Sequence, residues 1–377
     1  MNMIRPAWVE INLDALKHNF NAIREFAGST VKIIATIKQS AYGHGVIPIA
    51  RQLSLMGVNY FGVGSVEEAI FLRDAGFSEP ILVLSSVSSE FADKFVDYSI
   101  TPTVVNLHFA KSLNSIAKER NKRCPVHVHI DTGMGRLGYY YKDAAVLVKE
   151  LAELDNLYLE GIYTHFPSAD VDSNFTIEQI NKFNSFTSHM ESLGITFLYK
   201  HSANSMGVLN YPQACINMIR PGLILYGISP VDSIPIEVAP VMALKSRVIF
   251  IKKVDKGMSV GYGRTYIAKR SVYIATVEIG YADGYPWSLS GKGIVSIKGR
   301  NYPVVGRVCM DHIMVELENG NDVKEGDEVL LFGRSGDDFI PVEKIARLAN
   351  TIPYEIVSRL SLKLPRVYLP NKLAYQQ

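Results

Sequence analysis

A (β/α)8 barrel of the α/β class, followed by a mostly-β domain, is the fold this sequence predicts. Three observations carry it. Eight short apolar runs alternate with helical patterns over about 200 residues, the signature of parallel strands joined by crossover helices. No Gly-rich dinucleotide fingerprint follows the first of these strands, which weighs against an open doubly wound sheet. After Pro230 the texture changes to short β-rich runs separated by Gly, Asp and Asn turns.

Taken in order, Trp8 to Leu13 alternates and predicts a strand, with Asp14 a candidate cap for a helix over Ala15 to Phe26. The barrel strands are predicted near 31–37, 59–63, 80–84, 101–105, 126–130, 158–164, 197–200 and 216–219. Helical patterns lie at 45–55, 65–74, 107–120, 142–154 and 176–193. The stretch from Asp232 to Pro240 reads as a connection. Beyond it, β-rich runs fall at 244–251, 272–277, 293–298, 303–308, 313–317 and 328–331, with one helix near 341–350. We therefore expect a barrel over residues 1–235 and a β domain over 236–377, with residues 1–13 packing on the β domain.

Composition narrows the function. The 377 residues carry a net charge of +2, which favours neither nucleic acid nor an anionic membrane as partner. No apolar run reaches the ~18 residues of a membrane helix, and Met1 to Pro6 lacks a signal-peptide core. Cys124, Cys215 and Cys309 have no pairing or metal spacing, as expected in a reducing compartment, here the cytoplasm.

Barrel chemistry gathers at the C-terminal ends of the strands. Strand one leads to Lys38, then to a turn predicted at Gly43 and Gly45; an ammonium group desolvated there becomes a usable nucleophile. Strand five runs into a Gly-rich loop, Asp131 to Gly138, that carries Arg136. Strands six, seven and eight end at Thr164-His165-Phe166, His201 to Ser205, and Arg220-Pro221-Gly222. Hydroxyls and free backbone amides near Ser205 and Gly222 suit a phosphate. A phosphate-bearing aldehyde that needs a lysine is pyridoxal 5′-phosphate. A phosphate ligand without a covalent lysine bond fits the residues as well.

Lys38 within Ala41-Tyr42-Gly43-His44-Gly45 resembles the cofactor-lysine signature of alanine racemases. The likeness continues through Asp131 to Gly138, Gly161 to Phe166, His201 to Ser205, Arg220 to Gly222, Gly261-Tyr262-Gly263, Gly280 to Tyr285, Gly306 to Asp311 and Thr351 to Glu355. It implies a pyridoxal-phosphate enzyme that interconverts L- and D-alanine, the latter a peptidoglycan precursor, as a head-to-tail homodimer. Lys38 would hold the cofactor as an imine and serve as one base. Tyr262 of the partner subunit would serve as the other. Two bases on opposite faces of a planar Cα are what racemisation requires. The resemblance further implies that Arg220 faces the pyridine nitrogen. Tyr42, Asn204, Ser205, Tyr354 and the backbone of Gly222 and Leu223 would hold the phosphate end. Arg136 would reach the cofactor and the substrate carboxylate, His165 would support Tyr262, and Met310, Asp311 and Tyr281 would line the substrate site. No metal is implied.

Several positions depart from the family pattern. His129 stands where a lysine, often carbamylated, supplies a negative charge beside the arginine. We expect an inorganic anion such as chloride, or water, between His129 and Arg136. His127, His129 and Asp131 share one face of a strand, an arrangement also open to a metal. Gln39-Ser40 replace Ala and Asp or Asn, and His312, Trp287 and Ser358 replace Gln, Arg and Cys. Alternative readings are a broad-specificity racemase, a decarboxylase of basic amino acids, and a non-catalytic carrier of the cofactor. Arg220 and Tyr262 argue against the decarboxylase, and the second domain argues against the carrier.

Overall fold

The computed structural model describes residues 5–317 and 322–370. Eight parallel strands form one sheet: Lys32–Thr36, Tyr60–Val63, Ile81–Val83, Thr101–Val104, Cys124–Asp131, Leu157–Tyr163, Tyr199–His201 and Met218–Ile219. The sheet curls until the eighth strand pairs with the first, Met218 opposite Lys32 and Ile219 opposite Ile33. Strands seven and eight are tied by a side chain: Asn217 Oδ1 accepts from Lys200 N at 2.7 Å, and its Nδ2 donates to Leu198 O at 2.9 Å. Tyr60–Val63 and Thr101–Val104 are buried at every position, because outer helices cover one face and the barrel interior the other.

The predicted barrel strands are all present. The first long helix spans Leu13–Ala27, earlier than its periodicity predicts, because Asn12 and not Asp14 is the cap; Asn12 Oδ1 accepts from Ala15 N at 2.9 Å. Helical pieces at Ala92–Asp97, Ser205–Asn210 and Pro353–Ser358 are missing from the sequence pattern. Six residues make less than two turns, too few for a 3.6-residue period to register.

In the second half, strands Met242–Val254, Val272–Val277, Ile313–Leu317, Arg300–Val305, Ile294–Ile297 and Glu328–Ser335 pair in that order. The last returns to the first, closing an antiparallel ring. Trp8–Asn12 adds to this sheet, antiparallel to Met242–Lys245 and parallel to Arg366–Leu369. Buried Lys245 stands between Glu10 at 3.1 Å and Glu328 at 3.3 Å, so the added strand is pinned by charge as well as by its ladder. Residues 1–4 and 371–377, which the expected domain ranges include, lie outside the described residues. No described helix is long and apolar enough to cross a membrane.

Candidate active site

Lys38 sits just beyond the end of the first barrel strand and is half-buried. Burial, and secondarily the positive charge of Arg136, lowers its ammonium pKa, against an opposing pull from Glu68. The turn that follows is not built on glycine alone. Gln39, Ser40, Ala41 and Tyr42 all take φ values of 52 to 54°, a left-handed helical turn of four non-glycine residues. Such a turn costs roughly 1–2 kcal/mol per residue, so its surroundings must impose it. Inside it, Ala41 N donates to Ile37 O at 2.8 Å and Gly45 N to Ser40 O at 2.9 Å. The His44 ring donates from Nδ1 to Ala41 O at 2.8 Å. From the β domain, Arg366 Nε donates to Gly43 O at 3.2 Å and the Tyr368 hydroxyl to His44 O at 3.1 Å. Gly43 is required here: a Cβ would lie 2.2 Å from Val357 O.

Arg220, 4 % exposed, is the hub of the barrel mouth. Its Nη1 donates to His201 Nδ1 at 2.7 Å and to His201 O at 2.8 Å. Its Nη2 donates to Thr164 O at 2.6 Å, Ser202 O at 3.1 Å and His165 Nδ1 at 3.3 Å. The guanidinium lies over the Tyr163 ring, 4.9 Å from its centre. Burial lowers its pKa to about 10, so it stays cationic at neutral pH. Because an arginine only donates, His165 Nδ1 is an acceptor and its proton sits on Nε2. Burial and the charges of Arg220 and Arg136 keep that ring neutral.

Beside the hub, Ser205 Oγ accepts from Gly222 N at 2.9 Å, and a Cβ on Gly222 would lie 2.8 Å from the Tyr42 hydroxyl. Leu223 begins the short helix after Gly222. The Tyr42 ring packs 5.2 Å from Tyr226 and 6.1 Å from Tyr354. Tyr42, Ser205, Gly222, Leu223 and Tyr354 thus gather in one cradle. Asn204 borders it with its side chain engaged elsewhere: Oδ1 caps the next helix through Gly207 N, and Nδ2 donates to Phe166 O.

The three polar residues of strand five part ways. His127 turns to His201, 2.8 Å between ring nitrogens. Asp131 accepts from the amides of Gly133 and Met134 and shapes the Arg136 loop. His129 stacks on Tyr163, ring centres 4.3 Å apart, and its buried Nδ1 has no partner. Burial first, then Arg220 and Arg136, depresses its pKa to about 3, so it is neutral and brings no negative charge to Arg136. Arg136 itself is exposed. Among the described residues no three His, Cys, Asp or Glu side chains are arranged to hold a metal ion.

Tyr262 is not brought to Lys38 within this chain. It stands on the β domain, 71 % exposed, in a turn where Gly261 and Gly263 pack on Gly306 and Arg307. Met310, Asp311, Tyr281 and Trp287 are exposed on the same domain. Met310 O and Cys309 O accept from Ala282 N and Tyr281 N, both at 3.0 Å, which joins the two segments.

The fold and site together define a two-domain barrel enzyme built on a strand-end lysine and a buried, donor-only arginine. Comparison with known proteins narrows the class. Residues 11–230 match the model of the alanine racemase N-terminal domain, and residues 241–368 that of the C-terminal domain. The chain belongs to the alanine racemase family. It is 42 % identical to the alanine racemase of Halothermothrix orenii over 98 % of each chain. The structure of the alanine racemase of Clostridium difficile 630 superposes with a TM-score of 0.92 at 38 % identity, covering 100 % of this chain and 98 % of that one. A histidine racemase of Leuconostoc mesenteroides subsp. sake superposes with a TM-score of 0.88 at 29 % identity, over 97 % and 98 % of the two chains.

Glu68 and Glu160 are the functional candidates that sequence reasoning missed. Glu68 sits in the first turn of the helix after strand two, a place where acids are common for electrostatic reasons alone. The signal for Glu160 was the glycine that follows it, for a Cβ on Gly161 would lie 2.5 Å from the His127 ring.

Proposed function

We propose that this chain racemises alanine by a two-base mechanism, with pyridoxal 5′-phosphate held on Lys38 and the second base, Tyr262, supplied by a partner subunit. The proposed units are the barrel, residues 1–235, and the β domain, 236–377, with residues 1–13 packed on the latter. The observation that carries the reading is Arg220. Both terminal nitrogens are engaged with protein acceptors, and among the described residues Nε has no hydrogen bond. That single N–H can donate to the cofactor's ring nitrogen without surrendering a proton.

When bound, the cofactor supplies the electron sink that makes a Cα proton removable. Tyr42, Ser205, Tyr354 and the backbone of Gly222 and Leu223, with Asn204 at the border, form the cradle for its phosphate. Lys38, its ammonium pKa lowered chiefly by burial, takes or returns the proton on the D face. Tyr262 of the partner subunit does so on the L face, where the Nε2–H of His165 would stabilise its phenolate. Arg136 and the Met310 amide bind the substrate carboxylate, beside Asp311, and Tyr281 limits its size. The exposure of Tyr262, Met310 and Tyr281 in a single chain supports a head-to-tail dimer.

The test is Tyr262→Phe, with visible absorbance reporting the bound cofactor and Cα-proton exchange reporting the chemistry. We expect cofactor retention and about a 10³-fold loss of exchange. Full exchange would remove Tyr262 as a required base. Mixing inactive Lys38→Ala with inactive Tyr262→Phe should restore about a quarter of wild-type activity if the bases come from different copies. A second reading, a wider substrate range, is favoured by the resemblance to a histidine racemase. Exchange on a panel of amino acids separates the two.

A further inference from the structure

Arg220 is not the end of its hydrogen-bond chain. His201 Nδ1 must accept from it, so the His201 proton is on Nε2. That Nε2 lies 2.8 Å from His127 Nδ1, which must therefore accept, and the His127 proton is also on Nε2. His127 Nε2 lies 3.2 Å from Glu160 Oε2, which accepts. Tyr60 donates to the same oxygen at 2.5 Å, and its own oxygen lies 3.0 Å from Thr101 Oγ. One end of the chain can only donate and the other, an ionised carboxylate, can only accept. The direction of every bond between them is thereby set.

The chain traverses the barrel. Arg220 follows the C-terminal end of strand eight, while Tyr60 and Thr101 begin strands two and four and Glu160 lies midway along strand six. His127 and His201 are wholly buried between them. Strand six carries an irregularity at this point. Val126 pairs with Leu159 but His127 with Gly161, so Glu160 is an extra residue in the ladder. A bulge of this kind re-aims a side chain, and it is rare between parallel strands. Gly161 lies close against the His127 ring, where any side chain would collide with it. The backbone is shaped to hold this carboxylate on this histidine.

We propose that Glu160 is a positioning residue for Arg220, acting through the Nε2–H tautomers of His127 and His201. The carboxylate fixes His127, His127 fixes His201, and His201 holds the Arg220 Nη1 so that Nε alone faces the barrel mouth. The inference about tautomers stands on the hydrogen bonds in this chain. Its consequence for catalysis rests on the reading of Arg220 under Proposed function.

The experiment is nitrogen NMR of the holoenzyme labelled with [15N]histidine, with His127 and His201 assigned by substitution. Both rings should be neutral Nε2–H tautomers. Finding either as Nδ1–H or as imidazolium overturns the proposal without any variant. Glu160→Gln keeps an oxygen where the two donors point and removes only the charge, so both tautomers should persist. Glu160→Leu removes the acceptor and leaves the buried His127 Nε2–H unpaired. Arg220 still directs both tautomers, but the nitrogen and attached-proton resonances of His127 and His201 should shift as their hydrogen bonds weaken. In that variant the visible band of the bound cofactor should shift, and kcat should fall about tenfold while KM for alanine changes less than twofold. Unaltered histidine resonances and an unaltered band in Glu160→Leu would overturn the positioning role. Shifted histidine resonances with unaltered exchange would instead refute the part that rests on Arg220 facing the ring. Should Glu160→Leu fail to fold, Tyr60→Phe, which strips one donor from the carboxylate, should leave both tautomers in place; their loss there would also count against Glu160 as the anchor.

Discussion

Glu68 Oε1 accepts the backbone amide of Gln39 at 2.5 Å, one residue after Lys38. Its second oxygen accepts from Gly64 N at 2.7 Å, so one carboxylate ties the left-handed turn to the end of strand two. Hydrogen bonds to a charged acceptor are worth about 1.5–3 kcal/mol each. Glu68→Ala should therefore lower stability by about 2 kcal/mol, measured by chemical denaturation. Glu68 also raises the Lys38 pKa. In the cofactor-free variant the amine should titrate at lower pH than in the parent, read from the pH dependence of its acetylation. An unshifted profile would mean that the carboxylate does not act on Lys38.

Gly43→Ala tests how tightly the β domain holds that turn. At φ 81° the new Cβ would face Val357 O at 2.2 Å, so the turn and the helix Pro353–Ser358 must part. We expect a loss of about 2–3 kcal/mol, accompanied by weaker cofactor retention because Tyr354 moves with the helix. Retention equal to that of the parent would show that the cradle does not depend on this contact.

Acid should destabilise the protein through its buried histidines. His129 has a folded pKa of about 3, below the unfolded value of about 6.5. Between these values the unfolded chain binds a proton that the folded one does not. Stability contributed by the neutral ring is complete above about pH 6.5 and is lost as pH falls toward 3. Each such histidine adds a slope of about 1.4 kcal/mol per pH unit. His129→Phe, which can stack on Tyr163, should flatten the fall between pH 6 and 4 by that amount in denaturation experiments. An identical slope would mean that His129 is not neutral in the folded state.

The space between His129 and Arg136 is expected to hold an anion or water. His129 Nδ1 is buried without a partner, and the nearby charges of Arg136 and Arg220 are positive. Crystals grown in bromide should give an anomalous peak there. Density for neither a halide nor water would reject the expectation.

Much of the fold was legible because most barrel strands are apolar runs, such as Lys32–Thr36 and Tyr60–Val63, and helices such as Leu13–Ala27 and Leu107–Glu119 bury residues at a 3.6-residue period. The cradle and hub were legible as short motifs at strand ends, among them Ser205, Arg220 and Gly222. The left-handed turn was not. Gln39 and Ser40 have no local preference for positive φ, and glycines at 43 and 45 drew the turn to themselves. The cap at Asn12 was misplaced by two residues because Asp14 is as good a cap in isolation.

By itself, then, the sequence determined the order of elements, the barrel with its β domain, and the family, since these depend on local pattern and on spacing along the chain. Tertiary structure alone decided what Lys38 and Arg220 face. The turn after Lys38 is imposed by Glu68, Arg366, Tyr368 and Val357, three of them more than 300 residues away in the chain. The hydrogens of His127 and His201 are set by partners on other strands. Strain in a backbone and the tautomer of a ring are settled by what surrounds them, and those surroundings exist only once the chain has folded.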